Sequence, residues 1–276
     1  MNAITDDPSV RAERRITTHG TQRMVWHSWG QGPLLLLVHG TAGSWTHWAR
    51  NVLPLARHCT VLAPDLPGHG DSDLPAGEVS CAAFAATLWE GIDQLAGPGA
   101  SVALAGFSLG SILVESMAMA RPGQARLAIL LRGSFSRSAP PRPPELLRWK
   151  GVQDPLEVAR IHRHNLATSM FRDAGRIDDA AVALHGANLE RMRLDVRPLL
   201  GSRQFDAFTS LVCPVLGISG EFDIFGGNAR EEGAALEKSL PQARFHLVEG
   251  AGHWAAYEAA DAVNAVMAQV LTSPAV

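Results

Sequence analysis

Three residues far apart in the chain could share one nucleophilic reaction. They are Ser108 in Gly106-Phe107-Ser108-Leu109-Gly110, Asp223 in Ser219-Gly220-Glu221-Phe222-Asp223, and His253 in Gly250-Ala251-Gly252-His253-Trp254. A serine hydroxyl is a weak nucleophile and needs a base to take its proton. His253, in a glycine-containing loop, is the best candidate. The base in turn needs a carboxylate to hold its tautomer and support the imidazolium. Asp223 is favoured over Glu221, since it lies farther into its loop and can turn back toward the histidine. Glu249 reads as an ordinary rim carboxylate. Negative charge developing on a carbonyl oxygen requires preorganised donors. The amide of Leu109, just after the serine, can be one. The amide of Thr41 in His39-Gly40-Thr41-Ala42-Gly43 is the choice for the second, with Ala42 as the neighbour that could replace it. His39 suits a structural role beneath that loop.

These residues must be positioned by elements, and the pattern around each is informative. ASVALAG before Ser108 is a short apolar run, and SILVESMAMA after it carries apolar residues at helical spacing. A strand therefore ends and a helix begins at the serine, and the flanking glycines relieve crowding in so sharp a turn. LLLLV at 34–38, CTVLAPDLPGHG, ARLAILLR and CPVLGISG read as strands covered on both faces. RRITTHGTQRMVWHSWGQG reads as a hairpin. SWTHWARNVLPLA, VSCAAFAATLWEGIDQLA, 229–240 and a last stretch from Trp254 to Leu271 read as helices. Alternation of strands with helices predicts an α/β chain with a mostly parallel sheet. The alternation breaks at 133–145, where prolines crowd, and helical segments dominate from Leu146 to about Leu200. The expected division is core at 1–133, an inserted helical cap at 134–208, and core again at 209–276.

Composition narrows the function class. The chain of 276 residues is 46% hydrophobic and 18% charged, with a formal charge of -3. That balance argues against a general nucleic-acid binder. Residues 132–203 hold twelve arginines and one lysine against eight acids, a formal +5. This segment fits either a solvated helical face or a surface for an anionic ligand. Cys59, Cys81 and Cys213 form no CxxC pair and read as reduced thiols of a cytoplasmic chain. The expected N-terminal reading is no signal peptide, and no apolar run is long enough to span a bilayer. No cofactor and no metal is expected.

The markers LVHGTAGSWTHW, APDLPGHGDSD, GFSLG, the GEFD turn and GAGHW, in that order, resemble the α/β-hydrolase superfamily over essentially residues 15–272. The resemblance implies a doubly wound, mostly parallel eight-stranded sheet with a lid after the sixth strand, and the order Ser108, Asp223, His253 is that of its triad. Asp65 matches a loop residue that shapes structure. Dehalogenases and epoxide hydrolases of this superfamily use aspartate where this chain has Ser108. Lyases and cofactor-independent dioxygenases of the fold stay open. The expected function is hydrolysis of an ester or related acyl bond of a small, partly apolar substrate, with Ser111 departing from the GFSMGG pattern of small esterases and perhydrolases. The alternatives are a carbon–carbon bond hydrolase acting on a ring-fission dienoate, and a non-catalytic accessory protein on the same scaffold. Trp45, Phe107, Trp149, Met170 and Trp254 are candidates for an apolar pocket, and Arg191 and Arg193 for contact with an acidic substrate group. A homodimer through cap helices is open to the chain.

Overall fold

Runs such as LLLLV bury both faces only where helices cover a sheet on each side, and the chain achieves this with eight strands. The computed structural model describes residues 8–132, 135, 144–201 and 210–273. The strands are β1 (Glu13–His19), β2 (Gln22–Trp29), β3 (Leu34–Val38), β4 (Thr60–Pro64), β5 (Val102–Phe107), β6 (Ala125–Leu131), β7 (Val215–Gly220) and β8 (Ala243–Val248). Their order is β1-β2-β4-β3-β5-β6-β7-β8. β1 and β2 form the expected hairpin, and β2 also pairs antiparallel with β4. All later pairings are parallel.

The helices are α1 (Pro8–Arg11), α2 (Val52–Leu55), α3 (Cys81–Ala96), α4 (Leu109–Ala120), α5 (Pro155–Ser169), α6 (Asp179–Glu190), α7 (Arg197–Gly201), α8 (Ala229–Ser239), α9 (Ala255–Glu258) and α10 (Ala260–Thr272). Successive strand residues point to opposite faces, so one buried strand feeds two cores. Leu36, Val38 and Leu104 pack with Leu88, Leu113 and Met117 of α3 and α4. Leu35, Leu37, Ala103 and Ala105 face the other way, toward Trp48, Trp254 and Met267. Helices α5 to α7 fall between β6 and β7, where the helical insertion was expected. The proline-rich break is largely outside the described residues, as are the expected cap boundaries at 134 and 208.

Two expected helices are each divided. SWTHWARNVLPLA forms a 3-10 turn at Trp45–Trp48 and then α2. A helix continuous through Asn51 would press the Pro54 ring on the Arg50 carbonyl, and that carbonyl instead accepts the Asn264 side-chain amide. The last helix breaks at Ala259, between α9 and α10. There, guanidinium groups of Arg50 and Arg176 take the carbonyls of Tyr257 and Glu258.

The first turn of α4 packs closely on β3. A Cβ added at Gly110 would sit 2.2 Å from the Val38 carbonyl oxygen. Gly110→Ala should destabilise the protein by about 1–3 kcal/mol through overpacking, read as a lowered chemical-denaturation midpoint; an unchanged midpoint would show that β3 and α4 can separate freely.

Candidate active site

Ser108 is the single residue between β5 and α4, and it has φ 53° and ψ -116°. Left-handed backbone of this kind costs a non-glycine residue about 1–3 kcal/mol unless its surroundings impose it. Here they do. The Ser108 amide donates to the Leu131 carbonyl of β6 at 2.8 Å, and its carbonyl accepts the Ser111 amide at 2.9 Å. A Cβ at Gly106 would come within 2.2 Å of the Gly110 carbonyl oxygen, so the strand and helix can close only with glycine there. Ser111, which departs from the esterase pattern, is buried and donates its hydroxyl to the carbonyls of Gly106 and Leu131. The hydroxyl thus reinforces the same turn.

Asp223 lies just beyond β7 and His253 just beyond β8, on the same sheet edge as Ser108. His253 Nδ1 is 2.7 Å from Asp223 Oδ2, and both side chains are almost fully enclosed. With Nδ1–H donating to the carboxylate, Nε2 is left as the ring's acceptor. The other Asp223 oxygen accepts the Phe225 amide at 2.9 Å. Glu221, the competing acid, instead accepts the Gly250 amide. The His253 ring sits between Phe107 and Phe225, with centroids at 4.9 Å and 4.5 Å. Phe107 precedes Ser108, so its ring couples the serine turn to the histidine. Phe107, one of the pocket candidates, is itself buried. Phe225 carries no sequence signal beyond its nearness to Asp223.

The loop after β3 completes the arrangement. His39 Nε2 accepts the Leu66 amide and its Nδ1–H donates to the Gly40 carbonyl, which is the structural role expected for it. Gly40 packs directly on Phe107 and Ser108, where an added Cβ would stand 3.1 Å from the Ser108 Cβ. Thr41 therefore follows a residue in contact with the serine. Leu109 opens α4, where amides have no intrahelical acceptor. Besides Ser108, Ala42 is the one non-glycine residue at positive φ among the described residues, at 52°. Asp65 holds the 65–73 loop by accepting the Trp45 and Asp71 amides.

The remaining candidates divide. Trp149 lines a cavity of about 490 Å³ in the cap with Leu146, Leu147, Asn165, His185 and Leu189. Trp254 is buried and donates its indole N–H to the His47 carbonyl, while its amide binds the Met170 carbonyl. Both residues thereby fasten the cap to the core. Trp45 makes tilted ring contacts with His27 and Trp29, with centroids at 5.0 Å and 5.3 Å, on the β2 side. The two candidate arginines face the 65–73 loop. Arg191 pairs with Asp71, and Arg193 donates to the carbonyls of Gly70 and Ser72. Both guanidinium groups thus have partners on the 65–73 loop.

Two seam residues carried no motif in the sequence. Glu258, buried, accepts the amides of Gly252, Arg172 and Asp173, bracing the His253 loop against the cap. Asn188 of α6 accepts from the Ser44 and Thr46 hydroxyls. Only partner geometry distinguishes them from other polar residues.

Several histidines around the site are held neutral. Burial, reinforced by His185, His253 and His69, pushes His47 down to about 3. Burial and His162 bring His185 to about 4. Burial brings His27 to about 4, with Asp71 opposing. Below about pH 6.5 the unfolded chain takes protons that these folded imidazoles refuse, so stability is full above that pH and falls as acid approaches their folded values. The melting temperature should decline between neutral pH and pH 4, and His185→Gln should make that decline shallower; a slope identical to wild type would show that His185 is not held neutral.

A sequence model of the alpha/beta hydrolase family matches residues 35–266. Polyketide synthase ThaQ of Burkholderia thailandensis is 30% identical over 239 residues, covering 81% of this chain but only 11% of the synthase. The 2-hydroxy-6-oxo-6-phenylhexa-2,4-dienoate hydrolase of Burkholderia cepacia is 27% identical over 251 residues, covering 85% of this chain and 86% of that enzyme. In structure, a thermophilic esterase from Thermogutta terrifontis superposes with a TM-score of 0.72 at 23% identity, covering 94% of this chain and 98% of the esterase. The sheet order, the helices inserted after β6 and the match across most of the sequence agree: the chain belongs to the alpha/beta hydrolase family.

Proposed function

We propose that this hydrolase-family chain is a serine hydrolase that cleaves an ester or related acyl bond through an acyl-enzyme. The observation that carries the reading is the buried His253–Asp223 pair at 2.7 Å on the sheet edge where Ser108 occupies its strained turn. In this reading Ser108 Oγ attacks the substrate carbonyl and His253 Nε2 takes its proton. Asp223 keeps the imidazole in the Nδ1–H tautomer and stabilises the cation. The amides of Leu109 and Thr41 receive the oxyanion. His253 then returns the proton to the leaving alcohol. Next it draws a proton from water, which attacks the acyl carbon and frees Ser108. The apolar cap cavity beside Trp149 would hold part of a small substrate.

A second reading has its own support. The near full-length similarity to the phenylhexadienoate hydrolase favours carbon–carbon bond cleavage of a ring-fission product with the same three side chains. The two readings differ in the bond broken, so one experiment separates them. Wild type should hydrolyse short-chain p-nitrophenyl esters with a burst and an acylated protein in the mass spectrum. Ser108→Ala should abolish both, and Asp223→Asn should lower kcat by roughly 10⁴-fold through the wrong tautomer. Cleavage of a dienoate far above ester turnover, still dependent on Ser108, would establish the second reading. Silence on both substrates would count against the esterase reading and toward an accessory role.

A further inference from the structure

His47 stands beside the proposed site but has no part in the triad. It lies in the 3-10 turn Trp45–Trp48, buried, and is fixed from several sides. The Gly40 amide donates to its Nδ1 at 3.3 Å, and the Trp254 indole donates to its carbonyl at 2.9 Å. Its ring packs between Phe107 and Trp254, with centroids at 5.3 Å and 5.2 Å. Gly43 covers the Nδ1–Cε1 edge so closely that a Cβ there would come within 2.4 Å of both atoms. Because Nδ1 accepts, the ring proton belongs on Nε2.

That Nε2–H differs from the other buried imidazole nitrogens nearby. His39 has partners at both nitrogens, and His69 Nε2 is sealed by packing. His47 Nε2 has no hydrogen-bond partner among the described residues, and the residue keeps 3% exposure where His39 and His69 have none. The 3-10 turn that carries the ring also meets the cap, where the Ser44 and Thr46 hydroxyls donate to Asn188 of α6. His185, also in α6, lines the cap cavity with Trp149. The imidazole is thus tied through Gly40 and Phe107 to the turn of Ser108, while the 3-10 turn that bears it meets α6 of the cap through Asn188.

We propose that His47 contacts substrate, its Nε2–H donating a hydrogen bond to a carbonyl or carboxylate oxygen in the acyl part that runs from Ser108 toward the cap. The substrate class is thus an oxygen-bearing acyl compound rather than a plain alkanoyl ester. The inference rests on the acyl-transfer reading above. A neutral donor of fixed tautomer suits this role, since it attracts an oxygen acceptor without itself competing for the serine's proton. A site built to donate a hydrogen bond also discriminates against analogues that lack the acceptor.

Matched p-nitrophenyl esters of 4-oxopentanoate and pentanoate test it, because the wild-type-to-variant ratio cancels their intrinsic reactivities. His47→Phe should lose about tenfold more kcat/KM on the oxo ester than on the plain one. His47→Gln, which retains an N–H donor and an acceptor for Gly40, should recover much of that difference. Equal losses on both esters would reduce His47 to a brace for the loop and overturn the proposal. In ¹⁵N-histidine spectra of Ser108→Ala, saturating 4-oxopentanoate should shift the His47 Nε2–H resonance; no shift would also overturn it. Absence of Ser108-dependent turnover of either ester would instead overturn the acyl-transfer reading, leaving the binding spectra to decide on His47.

Discussion

The reversal of direction at Ser108 is the constraint around which the rest is arranged. A chain passing from β5 into α4 through one residue must adopt a positive φ there, and a serine resists that conformation. The turn persists because β6 takes its amide, Ser111 ties the helix back to β5 and β6, and glycines on either side admit close backbone contact. The result is a side chain presented at the C-terminal edge of the sheet with an open helix N-terminus beneath it. Open α/β sheets gather ligands at that edge for the same geometrical reason. The adjacent strand order β6-β7-β8 then brings the loops bearing Asp223 and His253 to the same rim.

The cap is attached by apolar packing, with Leu166, Phe171, Ile177 and Val182 in one core and Val196 and Leu199 in the other, and by polar contacts of modest individual strength. A typical hydrogen bond contributes about 1 kcal/mol net, and an exposed ion pair less. Glu258 is the exception in consequence, because a buried carboxylate stripped of its amide donors would be costly. It joins the backbone after α5 to the loop of His253, so cap position and histidine position are one problem. Asn188 does the same for the 3-10 turn that carries His47. Arg191 and Arg193 anchor the seam on the other side. The basic character of residues 132–203 is thus partly structural.

The local electrostatics follow from the enclosure. Burial holds His39, His47, His69 and His185 below their ordinary range. Within this cluster, His253 has a carboxylate at hydrogen-bond distance, and the others have none among the described residues.

The sequence by itself determined the strand–helix alternation, the helical insertion and the serine turn. Each is written locally: a continuous apolar run, a stretch of successive helical segments, or a pair of glycines around a serine. The division of two expected helices was less legible, since Pro54 and the carbonyls near Ala259 act through residues distant in the chain. The aromatic and arginine assignments depended on direction as well as type. Trp45 turns toward β2, Trp254 inward, and Arg191 and Arg193 toward the 65–73 loop. Only tertiary structure decided these, because a side chain's partner is set by which elements meet in space. The same holds for Glu258, Asn188 and His47, whose hydrogen-bond partners lie on chain segments that only the folded sheet and cap bring within reach.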